Sequence, residues 1–290
     1  GTQASNASSV GGHLVSYAAP VLDSSAPLSG AGFADAATEG GDTVTILGSN
    51  FGPVSHTDVS VVYGPPSNRN LYTALSCTVL SQTQIQCQTV PGVGIDLKWK
   101  VTVGGQTTGL SATASTYIAP VISNLTGGAA LEAGSPTSGG TSITISGSNF
   151  GPKDGEVDGG LVVTYGSDGT GYNALNCVVK GQDEITCDTQ AGVGKDLRWT
   201  VRIGSQSSGA LSDPKTRYSS PSISGIGSGP FNTIGGQTIV IKGNDFGPQS
   251  QPAGVTIAAY FGTASDVLPY TNALLNCSVT QDHTQMSCTI

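Results

Sequence analysis

Six cysteines carry the first chemistry in this chain, and they come in three close pairs: Cys77 with Cys87, Cys177 with Cys187, and Cys277 with Cys288. Thiolates bind zinc or close disulfides. Zinc sites draw on short Cys/His spacings, usually with histidine nearby. His13, His56 and His283 are far apart and fall at different places in the sequence pattern, and no His-x-x-x-His or Cys/His cluster accompanies them. The disulfide reading explains all six. Polar turn residues such as Ser81-Gln82-Thr83-Gln84 separate each pair, and Cys77 and Cys87 are equidistant from Gln82. Alternation puts Cys77 and Val79 on one face of one strand, and Ile85 and Cys87 on one face of the next. Opposed Cα atoms of a hairpin lie about 4.5–5.5 Å apart, within reach of a disulfide. The expectation is therefore three local hairpin disulfides, each facing its own core. Disulfides in this number imply an oxidising compartment, so the protein is expected outside the cell or on its surface.

Other candidate chemistry is sparse. Asp154-Gly155-Glu156-Val157-Asp158 gathers three carboxylates in one loop, which would suit a weak calcium site or be a solvated insertion. No Gly-x-Ser-x-Gly elbow or phosphate loop occurs, so no enzymatic activity, cofactor or metal is expected. Trp99 and Trp199 have the residue type of sugar-stacking platforms, but their phase beside Leu and Val assigns them to the core. Tyr72, Tyr172 and Tyr270 precede Ala-Leu at comparable positions, which fits a core-edge tyrosine or an assembly surface. Asn6, Asn124 and Asn276 each begin an Asn-x-Ser/Thr acceptor sequence, so N-linked sugar is expected there. The abundant Ser, Thr and Pro also permit O-linked sugar.

Composition narrows the partners. Of the 290 residues 10% are charged and 42 are glycine, with a formal net charge of -8. A typical soluble domain carries about 25% charged residues. An acidic chain without a basic cluster excludes nucleic acid as a partner, since phosphate contacts need Lys and Arg. No apolar run reaches the roughly 20 residues that span a bilayer. A neutral surface rich in Ser, Thr and Gly suits attached sugar or packing against further copies of the chain. Starting at Gly1 without Met, the sequence reads as a processed form or a fragment.

The elements that must position these residues repeat. Gly48-Ser49-Asn50-Phe51-Gly52-Pro53 recurs as Gly147-Ser148-Asn149-Phe150-Gly151-Pro152, and again as Gly243-Asn244-Asp245-Phe246-Gly247-Pro248. The phenylalanines lie 99 and 96 positions apart. Before each stands Gly-Gly and a short alternating stretch: Val44 and Ile46, Ile143 and Ile145, Ile239 and Ile241. Such alternation predicts a strand with one buried face, closed by a turn whose residues tolerate positive φ. Leu97-Lys98-Trp99-Lys100-Val101-Thr102-Val103 is matched by Leu197-Arg198-Trp199-Thr200-Val201-Arg202-Ile203. No helical periodicity of useful length is present. The prediction is all-β: tandem immunoglobulin-like β-sandwiches.

These motifs resemble the IPT/TIG domain. The resemblance lies in Ala19-Pro20-Val21 at the start, Gly-Gly before Thr-Val-Thr-Ile-Leu-Gly-Ser-Asn-Phe-Gly-Pro, Val61-Val62-Tyr63-Gly64, Gln84–Pro91 and Trp99–Gln106. It covers two complete repeats and most of a third, and it implies an immunoglobulin-like sandwich without cofactor. Residues 19–118 and 119–219 are then full repeats, 220–290 is an incomplete third, and 1–18 resembles the last strand of a preceding repeat. The third repeat lacks counterparts of the Trp strand, Leu97–Val103, and of Ser111–Tyr117. The expected function is a structural subunit of an extracellular filament or surface stalk, joined head to tail to copies of itself. Either the sequence is a window on a longer array, or residues 1–18 of a neighbouring copy dock along the incomplete third repeat, with Leu14, Val15 and Tyr17 at the contact. The alternatives are a receptor or adhesin ectodomain that binds a protein or glycan, and an accessory module of a carbohydrate-active enzyme.

Overall fold

The computed structural model describes residues 16–54, 56–127, 134–153, 160–211, 213–227, 229–251, 255–262 and 272–290. Their regular elements are strands, and all the sheet pairings between them are antiparallel. In the first repeat one sheet runs in the order Val21–Leu22, Thr43–Ser49, Gln84–Gln88, Leu75–Ser81, with Leu28–Ser29 also against Thr43–Ser49. The facing sheet runs Tyr72–Thr73, Val59–Gly64, Lys98–Val103, Gln106–Thr107. The second repeat copies this order. Val121–Thr126, Ser142–Ser148, Glu184–Asp188 and Leu175–Gly181 face Tyr172–Asn173, Leu161–Gly166, Arg198–Ile203 and Gln206–Ser207.

Alternation sets the burial. Val44 and Ile46 are fully buried while Thr43 and Thr45 stay half-exposed, because successive side chains of a strand point to opposite faces. The register repeats as well: Val44 is paired with Cys87, Ile143 with Cys187 and Ile239 with Cys288. Each central strand ends at Asn50, Asn149 or Asp245, whose φ values are 63°, 63° and 61°. Asn and Asp enter this left-handed region more readily than other non-glycine residues, so the recurring turn has a local cause.

Each disulfide crosses a bulged hairpin. Ser76, Asn176 and Asn276 have positive φ of 51°, 51° and 48°. The pairing slips there, from Leu75 opposite Gln88 to Thr78 opposite Gln86, and likewise in the other two repeats. The slip aims Cys77, Cys177 and Cys277 at their partners, with Cα atoms 4.1 Å apart in all three bonds. It also reverses the phase upstream, so that Leu75 is 53% exposed although it lies an even number of positions from buried Val79.

The third repeat differs on one side. Its four-stranded sheet, Ser222–Ile226, Thr238–Asn244, Gln285–Thr289 and Leu275–Gln281, matches the others. Among the described residues the facing sheet is Tyr260–Phe261 paired with Asn272–Ala273. Among the described residues nothing takes the place of the Trp strand. Register puts Asn272 opposite Phe261, where Tyr72 stands opposite Tyr63. Asn272 is thus the structural counterpart of Tyr72, and Tyr270 lies outside the described residues.

Candidate assembly site: the joints between repeats

Inside the first two repeats the aromatic residues form a fixed stack. Trp99 lies 4.1 Å from Tyr63 at an interplanar angle of 6°, and Trp199 lies 4.4 Å from Tyr165 at 10°. Trp99 Nε1 donates to Ser115 Oγ at 2.8 Å, and Trp199 Nε1 donates to Thr216 Oγ1 at 2.9 Å. Both indoles are fully buried, so they are core residues and offer no face to a sugar. The hydroxyls of Tyr63 and Tyr117 are 2.7 Å apart, as are those of Tyr165 and Tyr218. Burial pushes Tyr63 and Tyr165 up to about 12, and it raises Tyr117 and Tyr218 in the same direction.

Tyr72 links this core to the repeat end. Its hydroxyl donates to Val93 O at 2.8 Å and accepts from Val93 N at 3.1 Å. Tyr172 holds Val193 in the same two ways, at 2.7 and 3.0 Å. The Gly-Val-Gly loop is thereby fixed, and its valine projects out of its own repeat. Val93 is buried among the core residues of the second repeat. A Cβ built on Gly151 would lie 2.6 Å from Val93 Cγ1, and one on Gly247 would lie 2.4 Å from Val193 Cγ1. Glycine in the Phe-Gly-Pro motif therefore does two jobs: it accepts φ of 83° or 88°, and it leaves room for the incoming valine.

Polar bonds fasten each joint beside the valine. Thr38 Oγ1 donates to Gln182 Oε1 at 2.6 Å, and Gln182 Nε2 donates back to Thr38 O at 2.8 Å. Gln206 Nε2 donates to Tyr117 O at 2.9 Å. At the next joint Thr137 N donates to Asp245 Oδ1 at 3.1 Å, and Thr137 Oγ1 lies 2.9 Å from His283 Nδ1. Thr38 and Thr137 are both buried. They belong to one motif, Thr38-Glu39-Gly40-Gly41 and Thr137-Ser138-Gly139-Gly140. Residue types did not reveal these joints, although the recurrence of Thr-x-Gly-Gly and Gly-Val-Gly was visible in the sequence.

The remaining site expectations divide by location. Asn124 is exposed on the strand Val121–Thr126, and Asn276 is exposed in its bulge. Tyr17 is 81% exposed. Asn6, Leu14, Val15 and the acidic stretch Asp154–Asp158 lie outside the described residues. Among the described residues no group of three His, Cys, Asp or Glu could hold a metal ion, and no helix is long and apolar enough to cross a membrane.

Comparison with known proteins agrees with this architecture. The family model of the IPT/TIG domain matches residues 29–117 and 120–218. Curated proteins give no match. Among solved structures, the Plexin A4 extracellular region is 19% identical over 95% of this chain and 21% of its own, with a TM-score of 0.31. The surface glycan-binding protein PbSGBP-B from Prevotella bryantii is 15% identical over 68% of this chain and 42% of its own, with a TM-score of 0.42. Invasin, a bacterial integrin-binding protein, is 12% identical over 90% of this chain and 54% of its own, with a TM-score of 0.28. The chain thus spans between about a fifth and about half the length of these proteins. With the sandwich order, the repeated turn and the Trp strand matched in two consecutive units, the chain belongs to the IPT/TIG domain family.

Proposed function

We propose that the chain is a structural subunit of an extracellular filament or surface stalk, built from IPT/TIG repeats over residues 19–118, 119–219 and 220–290. The observation that carries this reading is the joint itself. The glycine seat and the threonine turn recur at both junctions, with Val93 buried in the core of the second repeat at the first and Val193, half-buried, against Gly247 at the second, so each repeat meets the next through a fixed surface instead of a free linker. Interdomain contacts that are small and polar permit motion. A buried valine with paired side-chain bonds beside it resists bending, as a rod requires. Three disulfides support an oxidising compartment, and exposed Asn124 and Asn276 support glycosylation. No catalytic role is part of this reading. Among the described residues no observation favours the receptor or adhesin alternative. Negative-stain microscopy of the native material is the test. Filaments are expected; dispersed short rods that never associate would reject the assembly role.

A further inference from the structure

At the first joint the valine plug works in one direction. Val93 is 2% exposed and lies among the core residues of the second repeat, in one cluster with Ile143, Phe150 and Trp199. Among the described residues the core of the first repeat takes no side chain from the second in return. The first repeat therefore completes the packing of its neighbour.

Tyrosines inside the first repeat hold the plug in place. Tyr72 pins both backbone groups of Val93, donating to its carbonyl at 2.8 Å and accepting from its N–H at 3.1 Å. Upstream in the same loop Val90 N donates to the Tyr63 hydroxyl at 3.0 Å, and Val90 O accepts from the Tyr117 hydroxyl at 2.6 Å. Gly92 lets the chain lie on the rings, since a Cβ there would come within 2.8 Å of Tyr72 and 3.0 Å of Tyr117. Gly92 N also donates to Thr38 O, the carbonyl that accepts from Gln182 Nε2 across the joint. The rings lead back into the core: Tyr72 lies 5.1 Å from Tyr63, and Tyr63 lies 4.1 Å from Trp99. At the next joint Tyr172 holds Val193, and Gly192 lies on the Tyr172 ring, in the same way.

We infer that Tyr72 is a positioning residue for the joint: by fixing the backbone of Val93 it couples the packed core of the first repeat to the stability of the second. A valine flanked by Gly92 and Gly94 sits on a loop with much backbone freedom to lose before it can fill a neighbour's core. Two hydrogen bonds from a ring already fixed in the first core remove that freedom in advance, so the second repeat receives a pre-set side chain. Without the hydroxyl, the N–H and carbonyl of Val93 lose their partner, the loop samples other conformations, and the second repeat is left underpacked beside Gly151. Coupling of this kind passes between nearest neighbours along an array.

This inference rests on the joint that carries the reading above but not on contact between copies, so the microscopy there and the measurement here fail separately. Hydrogen–deuterium exchange read by mass spectrometry resolves the repeats within the full chain. Tyr72→Phe keeps the ring and removes the hydroxyl, Val93→Ala removes the plug, and the double variant shows whether one acts through the other. Val79→Ala, a truncation in the first core outside the loop, is the control. Tyr72→Phe and Val93→Ala are each expected to speed exchange in Ser142–Ser148 and Glu184–Asp188 by roughly fivefold. The double variant should exchange no faster there than Val93→Ala alone, and Val79→Ala should speed exchange in the first repeat only. A Tyr72→Phe chain whose second repeat keeps its original rate overturns the proposal. So does an effect of Tyr72→Phe on the second repeat that persists undiminished beside Val93→Ala, or an equal effect there from Val79→Ala. Val93→Ala with an unmoved second repeat overturns it as well, whether or not Tyr72→Phe folds.

Discussion

Trp99 shows how much rests on single side chains here. It fills the middle of the first sandwich, stacks on Tyr63 and gives its only donor to Ser115, so truncation leaves both a void and an orphaned acceptor. Trp99→Ala is expected to cost about 3–5 kcal/mol, read from the shift in a urea unfolding curve. The tyrosine hydroxyls add a pH dependence whose sign follows from burial. Unfolded tyrosine ionises near 10.0, whereas Tyr63 and Tyr165 in the folded chain are pushed up to about 12. Below the lower value both states hold the proton, and the contribution is fully present. Between the two values the unfolded chain sheds protons that the folded chain keeps, so stability falls as pH rises. Thermal midpoints measured across this range are expected to be level up to about pH 10 and then to drop. A midpoint that stayed level to pH 12 would contradict the buried hydroxyl pairs.

At the scale of the element, the disulfide hairpin is the unit that repeats most faithfully. Its bulge at Ser76, Asn176 or Asn276 turns the cysteine toward its partner across the ladder. Each bond closes a short loop, with sequence separations of 10, 10 and 11. Replacing Cys77 and Cys87 together by alanine should lower stability by about 2–3 kcal/mol on the chain-entropy account, measured by chemical denaturation. Among the described residues the strand Val121–Thr126 is an edge, paired with Ser142–Ser148, and Asn124 on it is exposed. Sugar on that edge would block pairing with another sheet. The glycosylated protein is accordingly expected to lose mass on enzymatic deglycosylation, with Asn124→Gln removing one glycan by intact mass measurement.

For the whole molecule the joints decide shape. Val93→Ser combined with Gln182→Ala removes the plug and the paired bonds at the first joint while leaving both sandwiches their own strands. Small-angle scattering is expected to change from a stiff rod to a hinged one, with little loss of strand signal in circular dichroism. The bonds quoted at the first joint are between neutral groups, and the ion pairs Arg69–Asp96 and Lys215–Asp213 lie elsewhere. Neither bridges two repeats. Raising salt to about 1 M, where screening acts over roughly 3 Å, should therefore leave the scattering curve of the rod unchanged. A marked salt dependence would mean that charge, not the valine plug, holds the repeats in line.

Sequence alone determined the fold class, because alternation in Val44 and Ile46, the positive-φ turn at Asn50 and the spacing of Cys77 and Cys87 are local facts that recur about a hundred residues apart. It also put Trp99 and Trp199 in the core, since the period of two fixes a face without any knowledge of the partner sheet. Local pattern could not show the bulge, which exposes Leu75 against the alternation. Above all it could not show the joint. Val93 lies between two glycines, in Pro91-Gly92-Val93-Gly94-Ile95, with nothing local to say that its side chain would be buried in another repeat. Only the tertiary structure placed Gly151 opposite it and Gln182 against Thr38, 144 positions away, because such contacts depend on where two complete sandwiches meet and not on the order of residues within either.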